Sequence, residues 1–285
     1  MTENRPIRTF WWSCDKIEKK GFENFGDILT AYLIEKLSGS PCRWVDIRKR
    51  GMFSFLNNSQ IQIVTGSILG LVDDRCVVWG AGVIRKKEQI KRADFRAVRG
   101  YRSLDRLQAL GFTAPVAIGD PALLLPKIYD PQVKQAYPLG IIPHYVDHDQ
   151  IEKRYGKYKQ VKIIDVKTPV EDFIRDVKSC AQVISSSLHG IICCHAYGIP
   201  CLWYRFSHLL SGDDIKFEDY FSSVHISPYH GLTLQDKQPD DISASIASHA
   251  SIALPRIELH SLQNNLIRSC PFISEPWLFL SQTHE

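Results

Sequence analysis

The sequence predicts an α/β protein made of two Rossmann-like halves that face one another across a cleft. Three observations carry this expectation. Short β-rich runs alternate with amphipathic helical patterns along almost all of the 285 residues, the pattern of parallel sheets covered on both faces. A proline-bearing stretch at 126–138 interrupts the alternation and divides the chain into 1–130 and 131–285. The glycines, histidines and acidic residues that stand out gather where strands hand over to helices, which is where ligands bind in such sheets.

In the first half, strands are expected at 7–12, 43–47, 62–65, 76–79, 95–99 and 116–118. A helix over 27–37 has Ile28, Tyr32, Ile34 and Leu37 as its apolar stripe, and a second over 103–110 stops at Gly111. After the interruption, strands are expected at 139–143, 161–166, 182–185 and 201–204, separated by helices at 150–158, 170–180 and 188–197. Beyond Ser207 the pattern is less regular, with helices at 242–252 and 260–269.

Composition narrows the function. Hydrophobic residues make up 44% and charged residues 23%, which suits a globular chain with a sizeable core. No apolar run reaches the ~20 residues of a spanning helix. The start MTENRPIRTFWWS lacks a basic segment followed by a long apolar one, so a cytoplasmic location is expected. Lys and Arg number 35 against 31 Asp and Glu, a net charge of +4 spread along the chain. That balance argues against nucleic acid and suits an anionic small substrate. The basic groups Arg48, Lys49 and Arg50, and the lysines from Lys153 to Lys162, are read as a solvated face or an attraction to anionic lipid. Eight cysteines without a CxxC pair are expected to be buried free thiols, and no metal site is expected.

The candidate site residues follow the strand ends. In Asn24-Phe25-Gly26-Asp27, Gly26 permits a tight turn and Asp27 can cap the first helix. Gly66, Gly80 and Gly82 let backbone N–H groups approach a ligand. Arg96, Arg99 and Arg102 crowd one strand-to-helix transition, so an anion is needed to neutralise them. Arg99 is expected to face the cleft and hold a carboxylate or phosphate, while Ser103 can cap the next helix. Asp120 stands before Pro121 at a rigid corner, either as a turn cap, a contact to sugar hydroxyls or a brace for another residue. His144 occupies the matching strand end of the second half.

The sharpest feature is Ser185-Ser186-Ser187-Leu188-His189-Gly190. A strand runs into three hydroxyls, and then a His appears in the first turn of an apolar helix. Ser186 and Ser187 with the free backbone donors form an anion nest, His189 can give or take a proton, and Gly190 permits close approach. His195, Cys193 and Cys194 are read as packing residues. The charged and aromatic stretch 211–220 is either a solvated loop or the carrier of a cation, Lys216, near the cleft.

Taken in order, NFGD at 24–27, the glycines Gly66 and Gly80–Gly82, RAVRGYRS at 96–103, GDPALL at 119–124, IPH at 142–144, SSSLHG followed by AYGIP, and DIKFEDYF at 214–221 resemble the polysaccharide pyruvyltransferase family. The short bacterial ketal pyruvyltransferases of exopolysaccharide synthesis are the most similar branch. The resemblance implies a GT-B-like fold, phosphoenolpyruvate as donor and no other cofactor. It also implies a sugar acceptor, free or as a lipid-linked oligosaccharide; the latter would bring the protein to the inner membrane face. It further implies that Arg99 binds the donor's carboxylate or phosphate, that His189 is the acid–base residue and that Lys216 is a second cation. A nucleotide-sugar glycosyltransferase of the same overall fold is the competing expectation; the stretch after AYGIP lacks a clear ribose-binding carboxylate pattern for it, with Glu218 and Asp219 as the remaining candidates. A non-catalytic polysaccharide-binding protein is a third.

Overall fold

Strands buried on both faces must be apolar along their whole length, and this chain has such runs twice over. The computed structural model describes residues 5–49, 60–209, 212–235 and 237–280. Its first sheet contains β1 (Ile7–Thr9), β2 (Cys42–Trp44), β3 (Ile61–Ile63), β4 (Cys76–Trp79), β5 (Asp94–Val98) and β6 (Ala117–Ile118). Its second contains β7 (Leu139–Ile142), β8 (Val161–Ile163), β9 (Val183–Ser185), β10 (Cys201–Arg205) and β11 (Leu232–Thr233). Every pairing between these strands is parallel. The central strands β3, β4, β7 and β9 are buried at every position.

The helices between them are α1 (Phe25–Ser38), α2 (Tyr101–Ala109), α3 (Leu125–Ile128), α4 (His148–Tyr155), α5 (Val170–Lys178) and α6 (Leu188–Ala196). They are followed by α7 (Ile215–Ser223), α8 (Pro239–Ser248), α9 (Leu259–Ser269) and α10 (Glu275–Leu280). Among the described residues, no helix is long and apolar enough to cross a membrane. All eight cysteines are free, and all but the half-buried Cys42 are buried, as expected. Arg50 and Ser211 lie outside the described residues.

The strand orders are β2-β1-β3-β4-β5-β6 and β11-β10-β9-β7-β8. Counted from its own first strand, each sheet begins 2-1-3-4-5, the doubly wound order in which the chain reverses direction beside the first strand. The reversal falls between β1 and β3 in one sheet and between β7 and β9 in the other. Loops leaving these four strands are therefore the places where ligand groups can collect.

Helix α1 differs in detail from its sequence reading. Asn24, not Asp27, is the N-cap: its side chain accepts the Gly26 N–H at 3.3 Å, and Asp27 sits in the first turn. The buried stripe is Phe25, Leu29, Leu33, Ile34 and Leu37, while Ile28 and Tyr32 are half-buried. The helix ends at Gly39, whose φ of 68° is the left-handed stop that glycine tolerates. This helix packs against α5 and α6 of the second sheet, with the Phe25 and Phe173 rings stacked at 3.8 Å. One hydrophobic cluster consequently runs from Trp79 of the first sheet to Trp203 of the second.

Helix α9 comes back to the first sheet and packs against β5 and β6. There the buried Trp79 indole N–H donates to the carbonyl of Leu266 at 3.0 Å.

The stretch 212–220 contains the largest departure from expectation. Residues from Ile215 form helix α7, with Phe217, Asp219, Tyr220 and Phe221 buried. Phe217 stacks on Trp203 at 4.0 Å. Asp219 meets Arg99, and both side chains are 0% exposed. The anion that neutralises Arg99 is thus a carboxylate of the chain itself. Arg96 and Arg102 likewise pair with Asp94 and Asp105 at the surface. Breaking a buried pair leaves one charge without compensation, which costs about 3–5 kcal/mol. Asp219→Ala should lose stability of that order in urea unfolding, whereas Asp94→Ala should lose under about 1 kcal/mol.

Candidate functional site

The loops at the two reversal points line one pocket of about 420 Å³. From the loop after β1 and the start of α1 come Trp12, Glu18, Asn24 and Asp27; from the loop after β3 come Gly66, Ser67 and Ile68. The second sheet contributes His144 after β7 and Ser187, Leu188 and His189 after β9. Ile84, Arg85 and Glu88 from the loop after β4, with Leu71, Leu209 and Lys216, complete the lining.

His189 sits in the first turn of α6 because Ser187 is the N-cap, accepting the Gly190 N–H at 3.4 Å. The His189 side chain is only 10% exposed, and its Nε2 lies 3.5 Å from Oδ2 of the fully buried Asp120. Neither of those two atoms makes a hydrogen bond among the described residues, so the imidazole faces the carboxylate at ion-pair distance only. The other oxygen of Asp120 accepts the Ala122 N–H at 3.0 Å and so fixes the carboxylate. A histidine beside a fixed carboxylate in a pocket wall is placed to give or take a proton. Nδ1 lies against α1: a Cβ on Gly26 would come within 2.3 Å of it. Gly26 is therefore glycine because the imidazole needs its space.

Three further titratable groups in the pocket are displaced from their ordinary values. Burial, reinforced by the neighbouring Glu23 carboxylate, pushes the Asp27 carboxyl up to about 8. Burial and the positive charge of Arg99 bring the Lys216 ammonium down to about 8. Burial and Lys216 bring His144 down to about 4, so its ring is neutral at pH 7. Lys216 makes no hydrogen bond or ion pair among the described residues, although its ammonium lies 5.3 Å from the Phe217 ring centroid. The Arg85 guanidinium is exposed and likewise makes no hydrogen bond or ion pair among them, although its charge acts on the Glu88 carboxylate. The pocket thus holds two cations with unused capacity for an anion.

Of the expected site residues, Asn24, Asp27, Gly66, His144, Ser187, His189 and Lys216 line this pocket together. Asp120 stands directly behind His189. The others are placed differently. Arg99 turns inward: it donates through Nε to Asp219 at 2.9 Å, through Nη1 to Ser67 Oγ at 2.7 Å and through Nη2 to the Val83 carbonyl at 2.7 Å. Only through Ser67 does it reach the pocket wall. Gly82 is there for Arg99, since a Cβ would lie 2.4 Å from the guanidinium carbon, and Gly80 faces Pro121 in the same way. Gly190 gives way to Ser185 and Ile142 in helix-to-strand packing. Ser186 Oγ accepts the His144 N–H at 2.8 Å and so shapes the loop beneath. Ser103 does not cap α2; its hydroxyl donates to Asp219 at 2.6 Å. His195 is buried against the Tyr220 hydroxyl at 3.0 Å, as a packing residue.

The sequence is matched over residues 24–208 by the model of the polysaccharide pyruvyl transferase family. This chain belongs to that family. An uncharacterized protein of Acanthamoeba polyphaga mimivirus is 32% identical to it over 207 residues, 70% of either chain. The stretch matched to polysaccharide pyruvyl transferases includes every reversal-point loop from Asn24 onward. Trp12 and Glu18 lie before it and Lys216 after it. Family membership makes the chain a pyruvyltransferase acting on a polysaccharide.

Sequence reasoning missed Arg85, Trp12 and Glu18. Arg85 follows the Gly80–Gly82 loop by three residues, and that position alone could have marked it.

The raised Asp27 carboxyl has a consequence for stability. The folded chain holds this proton more tightly than an unfolded chain would, so the favourable contribution is complete below pH about 4 and is lost as pH rises through about 8. Asp27→Asn cannot ionise. Its melting temperature should therefore fall less than that of the parent protein between about pH 5 and about pH 9, as followed by circular dichroism.

Proposed function

We propose that this chain moves the pyruvyl group of phosphoenolpyruvate onto two hydroxyls of one sugar, releasing phosphate and leaving a cyclic ketal. The single observation that supports this most is His189, braced by Asp120, sharing a pocket with two unpaired cations, Lys216 and Arg85. That set matches what the donor requires: a proton source for its methylene carbon, and positive charge for its carboxylate and its departing phosphate.

The steps follow from the donor's chemistry. Protonation of the methylene carbon gives C2 oxocarbenium character, and one sugar hydroxyl adds there. The bond from C2 to the phosphate oxygen breaks, and a second hydroxyl closes the ketal. Of the two hydroxyl protons released, one replaces the proton consumed at the methylene carbon and the other leaves with phosphate. His189 serves as the main acid–base group. Asp27, whose carboxyl is held up to about 8, keeps its proton near neutral pH and is a second donor or acceptor beside it. Lys216 and Arg85 hold the donor's anionic ends. Arg99 acts as a positioning residue through Ser67 and, by way of Asp219, through the helix that carries Lys216.

The two parallel sheets with reversal points on one pocket are consistent with a GT-B-like arrangement, with the donor set between 1–130 and 131–285. The glycosyltransferase alternative relied on Glu218 or Asp219 for a ribose. Asp219 is consumed by Arg99, and Glu218 lies in a separate groove near Lys86. An acceptor carried on a lipid would require the protein to work at a membrane surface, where Lys153, Lys157 and Lys159 offer exposed positive charge.

Purified protein given phosphoenolpyruvate and a suitable glycoside should release phosphate and add a carboxyethylidene group visible by mass spectrometry. His189→Ala should lower that rate by about a hundredfold or more. Lys216→Met should also be inactive yet melt no lower than the parent, because it removes a cation that burial disfavours. Near-parental rates in both variants would refute the site assignment.

A further inference from the structure

We propose that the indole of Trp12 is the platform on which the acceptor sugar stacks, held in place by Glu18; this rests on the pyruvyltransferase reading and adds an acceptor subsite to it. The pocket of about 420 Å³ is larger than a three-carbon phosphate ester fills, so part of it remains for a second substrate. Its walls differ in chemistry. The unpaired cations Lys216 and Arg85 suit the anionic donor. Trp12, by contrast, packs with Ile68 and Leu71 on the apolar cluster of the first sheet and carries a carboxylate beside it. Glu18 serves the indole rather than the sugar: Oε1 accepts the Trp12 N–H, and the buried Oε2 is paired with Lys20. A pyranose has an apolar C–H face, the complement of a flat indole.

Trp12 is also built to stay still. Its Nε1–H donates to Glu18 Oε1 at 2.6 Å, and the Arg48 guanidinium lies 5.6 Å from its ring centroid. Glu18 is tied in turn to the Lys20 ammonium at 2.5 Å, and Lys20 donates to the hydroxyl of Tyr145, after β7 in the second sheet, at 3.0 Å. At the start of the loop, Ser13 Oγ donates to Glu23 at 2.5 Å. A half-buried indole fixed in this manner presents an ordered aromatic surface to the pocket, which lowers the entropy cost of binding.

The test uses the full-length protein and a panel of methyl hexopyranosides. Saturation-transfer NMR reads glycoside binding, and phosphate release reads turnover. Trp12→Leu keeps an apolar filler but loses the flat face; Trp12→Phe keeps a smaller one. The expected result for Trp12→Leu is a glycoside KM raised roughly three- to tenfold, the size of one aromatic contact. The KM for phosphoenolpyruvate should stay within about twofold, and Trp12→Phe should recover most of the loss. Glycoside saturation transfer should weaken in Trp12→Leu and not in Trp12→Phe. An unchanged glycoside KM and saturation transfer in Trp12→Leu would overturn the subsite, as would absence of glycoside binding to the parent protein. A parent protein that binds glycosides but neither binds nor consumes phosphoenolpyruvate would overturn the donor reading instead, and the NMR comparison would still decide the role of Trp12.

Discussion

The buried pair between Arg99 and Asp219 is the constraint on which the arrangement around the pocket depends. Two fully desolvated charges persist only if each has its hydrogen bonds met, and here both do. Asp219 also takes the N–H and hydroxyl of Ser103, while Arg99 reaches Ser67 and the carbonyl of Val83. The pair thereby joins the end of β5, the start of α2, the loops after β3 and β4, and α7. Lys216 lies one turn before Asp219 on α7, so its position in the pocket is set by an interaction three residues away. The glycines around the pair are part of the same device. A Cβ at Gly100 would come within 1.8 Å of the Asp219 carbonyl oxygen, just as one at Gly82 would strike Arg99.

The pocket contains a second electrostatic balance. Asp27 and Lys216 are both displaced toward the neutral forms by burial, and each is partly drawn back by the charge on the other. A site in which an acid and a base are both held near neutrality can supply or accept protons in either direction with little cost. His144 adds a neutral imidazole to the same pocket.

Much of the fold was legible in the sequence because its strands are buried on both faces. Cys76–Trp79 is an uninterrupted apolar run, and the strand came out at those bounds. The helix after Ser187 was legible from a hydroxyl before an apolar segment, and Ser187 is indeed its cap. Helix α7 was not. Its Asp214, Lys216, Glu218 and Asp219 look like solvated charge, and only the tertiary partner reveals that one of the four is in the core. Arg99 was misdirected for the same reason. A lone arginine at a strand end fits a ligand as well as a buried carboxylate, and sequence does not say which anion arrives. The glycines Gly80, Gly82 and Gly190 read as open approaches for a ligand, whereas the space they leave is filled by Pro121, Arg99 and Ser185. Gly26, which reads in the sequence as a turn, instead leaves its space to the imidazole of His189.

The return of α9 to the first sheet bears on how the molecule is made. During synthesis, β1 to β6 emerge from the ribosome well before Leu266, yet Trp79 finds its acceptor only on α9. Until then one face of β5 and β6 is uncovered, with an indole N–H lacking its native partner. The far edge of the first sheet can therefore be completed only after the second sheet has been translated. Its completion acts as a closing step, and a nascent chain halted before α9 would present that apolar face to chaperones.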